Sequence, residues 1–483
     1  MVIDALKYQI LQQFGFVPTE EQGQALDAFA RFLTDRDPHA VMILRGSAGT
    51  GKTSLSGAIV RTLKAIRQKV MLLAPTGRAA KVFSLNSGCP AYTIHRRIYR
   101  EKSFAGVDGQ FNLNDNLFTD TLFMVDEASM ISNLGLGGGN FGSGCLLDDL
   151  VRFVYQGHND RLMLIGDKAQ LPPVGEEESP ALNRMMLEGY GLKVYECDLN
   201  EVLRQSQESG ILYNATVIRQ MFTHDDITQL PLIRFKGFAD IVMMPGNELV
   251  ESLANSYYRV GQDETMVITR SNKRANIYNN GIRNMVLDRE DELSCGDMLM
   301  IVKNNYFWTE KERNEAKEAL NAIPPFLANG DRAKVLRVSR HMELYGFRFA
   351  TLLLQFPDYD NYEMSVTALL DTLQSEAPAL THEQQEQLFH GVEEDYQDVP
   401  LKADRMKAIR GDQYFNALQV KYAYAITCHK AQGGQWEHVY VDQGYMTDDM
   451  LTPDYIHWLY TAFTRAKDKL FLVNWPKTQT EQA

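Results

Sequence analysis

The sequence predicts an α/β protein built from two parallel-sheet domains, with a small hairpin inserted in the first and a small β-barrel inserted in the second. Three observations predict it. Apolar strand candidates alternate with helical patterns through the first part of the chain: Ala40–Leu44, Val70–Ala74, Leu122–Val125, Leu162–Ile165 and Val194–Leu199. Such alternation implies crossover connections and a parallel sheet covered on both faces. A second set appears late, at Met266–Thr269, Tyr422–Ile426, Val439–Val441 and Leu470–Val473. Between the members of that set lies a stretch of short, turn-bounded β-type runs, Ala333–Val338 and Phe347–Phe356, preceded by the turn signal Asn329-Gly330-Asp331. The expected division is a first domain over 1–212 with an insertion at 96–118, a second domain over 213–328 and 419–483, and a barrel over 329–418. The segment Thr381–Asp398 reads as a helix or loop on the outside of the barrel.

Bulk properties are those of an ordinary globular protein, with 45% hydrophobic and 23% charged residues over 483 positions. That length exceeds what one compact core accommodates. No apolar run is long enough to cross a membrane, and Asp4 and Lys7 stand where a signal peptide would need an apolar stretch. Five scattered cysteines without a C-x-x-C pair argue against a disulfide framework or zinc site and suit a cytoplasmic location. The net charge of −13 is unevenly placed. Phe349–Leu401 holds eleven acidic residues and no Lys or Arg, leaving 51 acidic against 49 basic residues elsewhere. Net charge therefore does not exclude a nucleic-acid partner.

The first strand, Ala40–Leu44, runs into Gly46-Ser47-Ala48-Gly49-Thr50-Gly51-Lys52-Thr53, which fits the phosphate-loop pattern G-x-x-x-x-G-K-[ST] at every fixed position, and a helix continues from Ser54. In such a loop backbone N–H groups turn inward around phosphate oxygens at the positive end of the helix. Lys52 is expected on the β and γ phosphates, and the Thr53 hydroxyl on Mg²⁺. A nucleoside triphosphate and Mg²⁺ are thus the expected ligands. The strand ending at Val125 delivers Asp126 to the Mg²⁺ shell and Glu127 to the attacking water. The strand ending at Ile165 leads into Gly166-Asp167-Lys168-Ala169-Gln170-Leu171-Pro172-Pro173, which places Gln170 as a γ-phosphate sensor stiffened by two prolines. In a parallel sheet, ligands collect at the carboxyl ends of strands, so these polar strand ends read as one crevice.

Taken in order, these motifs resemble those of superfamily-one helicases of the 5′→3′ class, closest to the Dda and RecD group, over almost the whole chain. The resemblance implies two RecA-like motor domains, a pin, an SH3-like barrel and ATP-dependent unwinding of DNA. Glu20-Glu21-Gln22 resembles the adenine-recognising motif, which assigns Gln22 to nucleotide. Pro75-Thr76-Gly77-Arg78 and Thr93-Ile94-His95 resemble strand-phosphate motifs, implying nucleic-acid contacts at Thr76, Arg78 and His95. Leu199–Gln205 resembles the motif that supplies Arg204 to the γ-phosphate. Ala425–Gly433 resembles the motif linking DNA to nucleotide, implying DNA contacts at Thr427, His429 and Lys430, and Gly434 directly after it is expected at the nucleotide. Leu459–Ala466 resembles the motif whose arginine, here Arg465, completes the ATP site from the second domain. Ala128 and Lys168 favour the Dda/RecD group over the Pif relatives. Two departures stand out: Gln435 and Trp436 follow Gly434 where many relatives carry an acidic residue, and Gly135–Gly144 holds six glycines outside the family pattern.

Two further elements face the nucleic acid in this reading. Phe104–Phe111 contains an Asp108-Gly109 turn between apolar residues, a hairpin signal. It reads either as a duplex-splitting wedge using Phe104 and Phe111, or as a surface hairpin packed on its own domain. Asn272 opens a helix rich in phosphate-capable side chains, and Tyr278 or Trp436 could stack bases or belong to the core. The implied partners are single-stranded and tailed duplex DNA, together with a single-strand-binding or replication/recombination protein. An RNA helicase or ribonucleoprotein remodeller and an ATP-switched nucleic-acid clamp are the alternatives.

Overall fold

The computed structural model describes residues 2–104, 109–135, 142–202, 208–223, 229–315, 323–324 and 326–481. Its first domain is organised by β1 (Ala40–Gly46), β2 (Lys69–Ala74), β3 (Ala91–Thr93), β6 (Thr121–Val125), β7 (Arg161–Gly166) and β8 (Lys193–Leu199). They form one sheet in the order β3-β2-β6-β7-β1-β8, with every pairing parallel. Along β1 the side chains alternate between two cores: Ala40, Met42 and Leu44 pack with the helices Val2–Phe14, Glu20–Thr34 and Lys52–Ala65, and Val41 and Ile43 with the helix Leu146–Gln156. Burial on both faces is why these strands read as continuous apolar runs. The order also puts the ends of β2, β6, β7, β1 and β8 side by side, which is where five motif-bearing segments of this domain begin.

Between β3 and β6, β4 (Tyr99–Phe104) and β5 (Gly109–Leu113) form an antiparallel hairpin with Phe104 opposite Gly109. The expected hairpin is present; residues 105–108 and the side chains of Phe104 and Phe111 lie outside the described residues.

The second domain holds β9 (Ile241–Met244), β10 (Thr265–Thr269), β16 (Ala425–Thr427), β17 (Trp436–Asp442) and β18 (Ala466–Val473), paired in parallel in the order β16-β10-β17-β18-β9. The barrel closes through β11 (Met298–Ile301), β12 (Arg332–Leu344), β13 (Phe347–Phe356), β14 (Tyr362–Leu369) and β15 (Leu418–Tyr422). Two readings need correction. The run Tyr422–Ile426 is not one strand: β15 ends at Tyr422 in the barrel, and β16 starts at Ala425 in the parallel sheet. The barrel strands also begin before 329 and end after 418, because β11 pairs with both β12 and β15 to close it. The acidic segment is a helix, His382–Asp395, started by a capping box on Thr381 and packed on the barrel through Leu388 and Val392.

One buried ion pair fastens the barrel to the second domain. Asp297, fully buried just before β11, accepts from Arg283 Nε at 3.0 Å, Arg283 Nη2 at 3.0 Å, Arg289 Nη1 at 2.7 Å, the Tyr424 hydroxyl at 2.8 Å and Ser294 N at 2.7 Å. Removing one partner of such a group strands the other charge away from water. Asp297→Ala should therefore lower the unfolding free energy by about 3–5 kcal/mol, read by chemical denaturation. A change below about 1 kcal/mol would contradict the anchoring role.

Candidate active site

The loop after β1 is shaped by its glycines. Gly49 and Gly51 hold φ of +77° and +76°, a region that L side chains rarely adopt. A Cβ on Gly46 would lie 3.0 Å from Thr50 Oγ1. Lys52 Nζ donates to Gly46 O at 2.9 Å, folding across the mouth of the loop. Gln22 is buried; its amide donates to Thr50 O at 2.9 Å, and it completes the cap of its own helix with Thr19. The residue expected at the adenine thus also braces the phosphate loop.

Asp126 and Glu127 follow β6 at the same end of the sheet. Burial, then the neighbouring Glu127 charge, push the Asp126 carboxyl upward, and Lys52 opposes them. A buried carboxylate beside a like charge is the setting that a divalent cation relieves, so Asp126 and Thr53 fit a hard-oxygen Mg²⁺ site. Glu127 sits at φ +53°, a left-handed conformation unusual for a non-glycine residue. Such strain costs on the order of 1–3 kcal/mol and concentrates at functional sites.

Gln170 reaches into the same cleft. With its amide nitrogen toward Glu127, it donates to Glu127 Oε2 at 3.3 Å and accepts from Arg465 Nη2 at 3.2 Å. Arg465 comes from the second domain and is 2% exposed. Thr461 O, Gly434 O and Thr464 Oγ1 hold its remaining donors at 3.0, 3.2 and 3.1 Å. These groups and the phosphate loop line a cavity of about 290 Å³ between the domains. Gly434 stands behind that wall, supporting Arg465, and Gly433 and Gln435 line the cavity instead. Ser54 follows Thr53 in the first turn of the helix Lys52–Ala65. Arg204 lies outside the described residues.

Contacts across the cleft were not foreseen from the sequence. The segment after β7 is held by the second domain at successive groups: Ala169 O by His457 at 3.0 Å, Leu171 N by Thr461 Oγ1 at 2.8 Å, and Leu171 O by Gln432 Nε2 at 2.7 Å. The Tyr460 hydroxyl accepts from Ala48 N at 2.9 Å and donates to Asp167 Oδ2 at 2.7 Å. Arg219 donates to the Ser47 hydroxyl, and Leu212 packs over Gly49. A signal was available: His457, Tyr460 and Thr461 share one face of the helix Pro453–Phe463 by their i, i+3, i+4 spacing.

The proposed nucleic-acid residues divide. Thr76 caps the helix Gly77–Ser87, its hydroxyl accepting from Ala79 N at 3.2 Å. Arg78 lies between domains, stacked 4.4 Å over Trp436 and donating to Gln435 O at 2.8 Å; burial and neighbouring Arg332 lower its guanidinium to about 10. Trp436 is fully buried beneath both arginines, so in this arrangement it is not a free stacking platform. The Tyr278 ring is also occupied: its hydroxyl donates to Asp442 at 2.6 Å and Arg274 lies over it at 5.5 Å. Asn272 donates to Glu376 O at 3.2 Å, a contact with the segment following the barrel strand β14. Burial lowers His95 to about 4, which leaves it neutral at ordinary pH. Thr427 precedes the short helix Cys428–Ala431, where His429 is exposed and burial lowers Lys430 to about 8. Lys430 Nζ and Arg78 Nη1 are buried without a hydrogen-bond partner.

The sequence model described as an AAA domain matches residues 19–220, and that of the UvrD-like helicase C-terminal domain matches 422–473. The two fall, in that order, on the first sheet and on the closing strands of the second. The chain thus carries an AAA domain followed by a UvrD-like helicase C-terminal domain. It is 33% identical over 171 residues to an uncharacterised protein of Methanocaldococcus jannaschii, covering 33% of this chain and 14% of the relative. It is 31% identical over 157 residues to the ATP-dependent RecD2 DNA helicase of Deinococcus radiodurans, covering 32% and 18%. The matches therefore span less than a fifth of either relative. Among solved structures, Pif1 helicase from Bacteroides in complex with ADP-AlF3 and ssDNA aligns over 97% of this chain and 95% of its own, at 13% identity and a TM-score of 0.47.

Arg465→Ala should reduce the chain's kcat for ATP hydrolysis by about 10³-fold while changing nucleotide affinity little, as for a group that acts on transition-state charge. Steady-state ATPase with nucleotide-binding titrations checks this; an intact kcat with a raised KM would reassign Arg465 to ground-state binding.

Proposed function

We propose that this chain is a helicase, an ATP-driven motor that translocates 5′→3′ on single-stranded DNA and separates duplex ahead of it. The observation that carries the reading is the Glu127–Gln170–Arg465 bridge, which joins the water-positioning carboxylate of one domain to an arginine of the other. Hydrolysis then depends on the cleft being closed. Lys52 and the loop amides would bind the phosphates, and Thr53 and Asp126 would hold a Mg²⁺ ion, which would supply neutralisation of phosphate charge. Glu127 orients the attacking water and takes its proton; Gln170 fixes Glu127 and senses the γ-phosphate; Arg465 and Arg204 stabilise developing charge. Thr76, Arg78, His95, Asn272, Thr427, His429 and Lys430 provide the strand path. The orphan donors Arg78 Nη1 and Lys430 Nζ support an anionic partner there, and neutral His95 acts by hydrogen bonding or stacking rather than by charge. Direction and the preference for DNA rest on the family resemblance.

Matched duplexes with a 5′ or a 3′ single-stranded tail test the motor. ATP-dependent strand release is expected from the 5′-tailed substrate only, and Lys52→Ala should abolish it. Release from the 3′ tail would reverse the polarity, and greater ATPase stimulation by poly-U than by poly-dT would favour RNA.

The hairpin stands beside the strand motifs and outside the ATP cleft, which suits a wedge. Unstacking a base step costs a few kcal/mol, and an apolar tip offsets part of it. Replacing residues 104–111 by a Gly/Ser turn should preserve single-strand-stimulated ATPase and abolish unwinding. Unimpaired unwinding would place the wedge elsewhere.

A further inference from the structure

The Tyr460 hydroxyl is the one second-domain group in the described cleft that bonds both to the phosphate loop and to the segment carrying Gln170. Its oxygen accepts from Ala48 N at 2.9 Å, and its proton goes to Asp167 Oδ2 at 2.7 Å. Tyr460 is 1% exposed and Asp167 3% exposed, so bulk water does not stand in for either partner. The other Asp167 oxygen accepts from Ala169 N at 3.0 Å, which fixes the turn that delivers Gln170 to Glu127 and Arg465. A continuous path therefore runs from the helix Pro453–Phe463 through one hydroxyl to both the loop and the sensor glutamine.

Resting on the motor reading above, we propose that Tyr460 is a positioning residue for ATP hydrolysis, whose hydroxyl ties domain closure to the placement of Gln170 over the phosphate loop. It touches no phosphate in this arrangement; it acts through Ala48 and Asp167. Burial, followed by the Asp167 charge, raises the Tyr460 phenol well above its ordinary range, so the hydroxyl stays protonated and can donate throughout the working pH range. Burial also raises the Asp167 carboxyl, with Lys52 opposing. Losing the hydroxyl leaves that buried carboxylate short of a donor and the Ala48 N–H short of an acceptor, which misplaces the assembled groups. The ring would still fill its site, which separates this role from simple packing.

Tyr460→Phe in the full chain tests the proposal, with ATP turnover measured at saturating single-stranded DNA. The expected result is a kcat about ten- to a hundredfold lower, about 1.4–2.7 kcal/mol at 1.36 kcal/mol per tenfold. KM for ATP and affinity for the DNA should stay within about threefold, since only a transition-state arrangement is lost. A kcat within twofold of wild type, or a raised KM with kcat intact, would overturn the role. Asp167→Asn gives an independent arm should the phenylalanine variant not fold: it too must lose kcat selectively, and an unaffected kcat overturns the proposal. Where both fold, the double variant should lose no more than the worse single one, whereas multiplied losses would show that the two residues do not act as a unit. A wild-type chain without ATP hydrolysis overturns the motor reading and this proposal with it. Wild-type hydrolysis with unaffected variants overturns only the role of Tyr460.

Discussion

The structure depends on one packing event, the seating of the helix Pro453–Phe463 against the segment that follows β7. That segment leaves its sheet with unpaired backbone groups, and the second domain supplies their partners: His457 for Ala169 O, Thr461 for Leu171 N and Gln432 for Leu171 O. Buried backbone groups must be paired, so separating the domains costs these bonds unless water enters the gap. The same helix is followed directly by Thr464 and Arg465, so seating it fixes where the arginine stands. Closure and assembly of the hydrolytic site are thus the same structural event.

The parallel sheet provides the other half of that arrangement. Because β6, β7, β1 and β8 are successive neighbours in the sheet, the residues leaving their ends line one edge of it although they are far apart in sequence. Apolar burial on both faces holds the strands, and the functional groups occupy the edge that packing leaves free. Glu127 shows the cost of this arrangement, holding a left-handed backbone conformation at the end of β6. The surrounding core, with Val125 and Ala128 fully buried on either side, enforces that conformation.

Sequence reasoning reached the motor strands that carry motifs and most groups in the ATP cleft, because phosphate loops and strand-end carboxylates have local signatures. It missed β3, β9, β11 and β14, which are short or depend on their neighbours for their strand character. It joined β15 to β16 across Tyr422–Ile426, because an apolar run looks the same whether it serves one sheet or crosses between two. Period and composition carry no mark for such a junction; the buried Tyr424, bonded to Asp297, provides it in three dimensions. Tyr460 and Gln432 lay inside quoted motifs, but their partners sit in the other domain. Arg78 was assigned to the strand path and Trp436 read either as a base-stacking ring or as core, yet the two stack on each other. Pairings between domains cannot be read from spacing along the chain.

For an acidic chain to grip a polyanion, as proposed above, its charges must be segregated. The acidic helix His382–Asp395 sits on the barrel, with Leu388 and Val392 fastening it. The cations behave differently: Arg78 and Arg332 both lie over Trp436, and Lys430 is buried without a partner. Burial lowers both Arg78 and Lys430, which means that their charged forms are held at a disadvantage until an anion arrives. A phosphate entering there would recover that energy locally, whatever the net charge of −13. The strand would then compete with the Arg78–Trp436 contact between domains. By reciprocity, any nucleotide state that tightens that contact must weaken the strand's hold on Arg78 by the same factor, which is the alternation that a stepping motor requires.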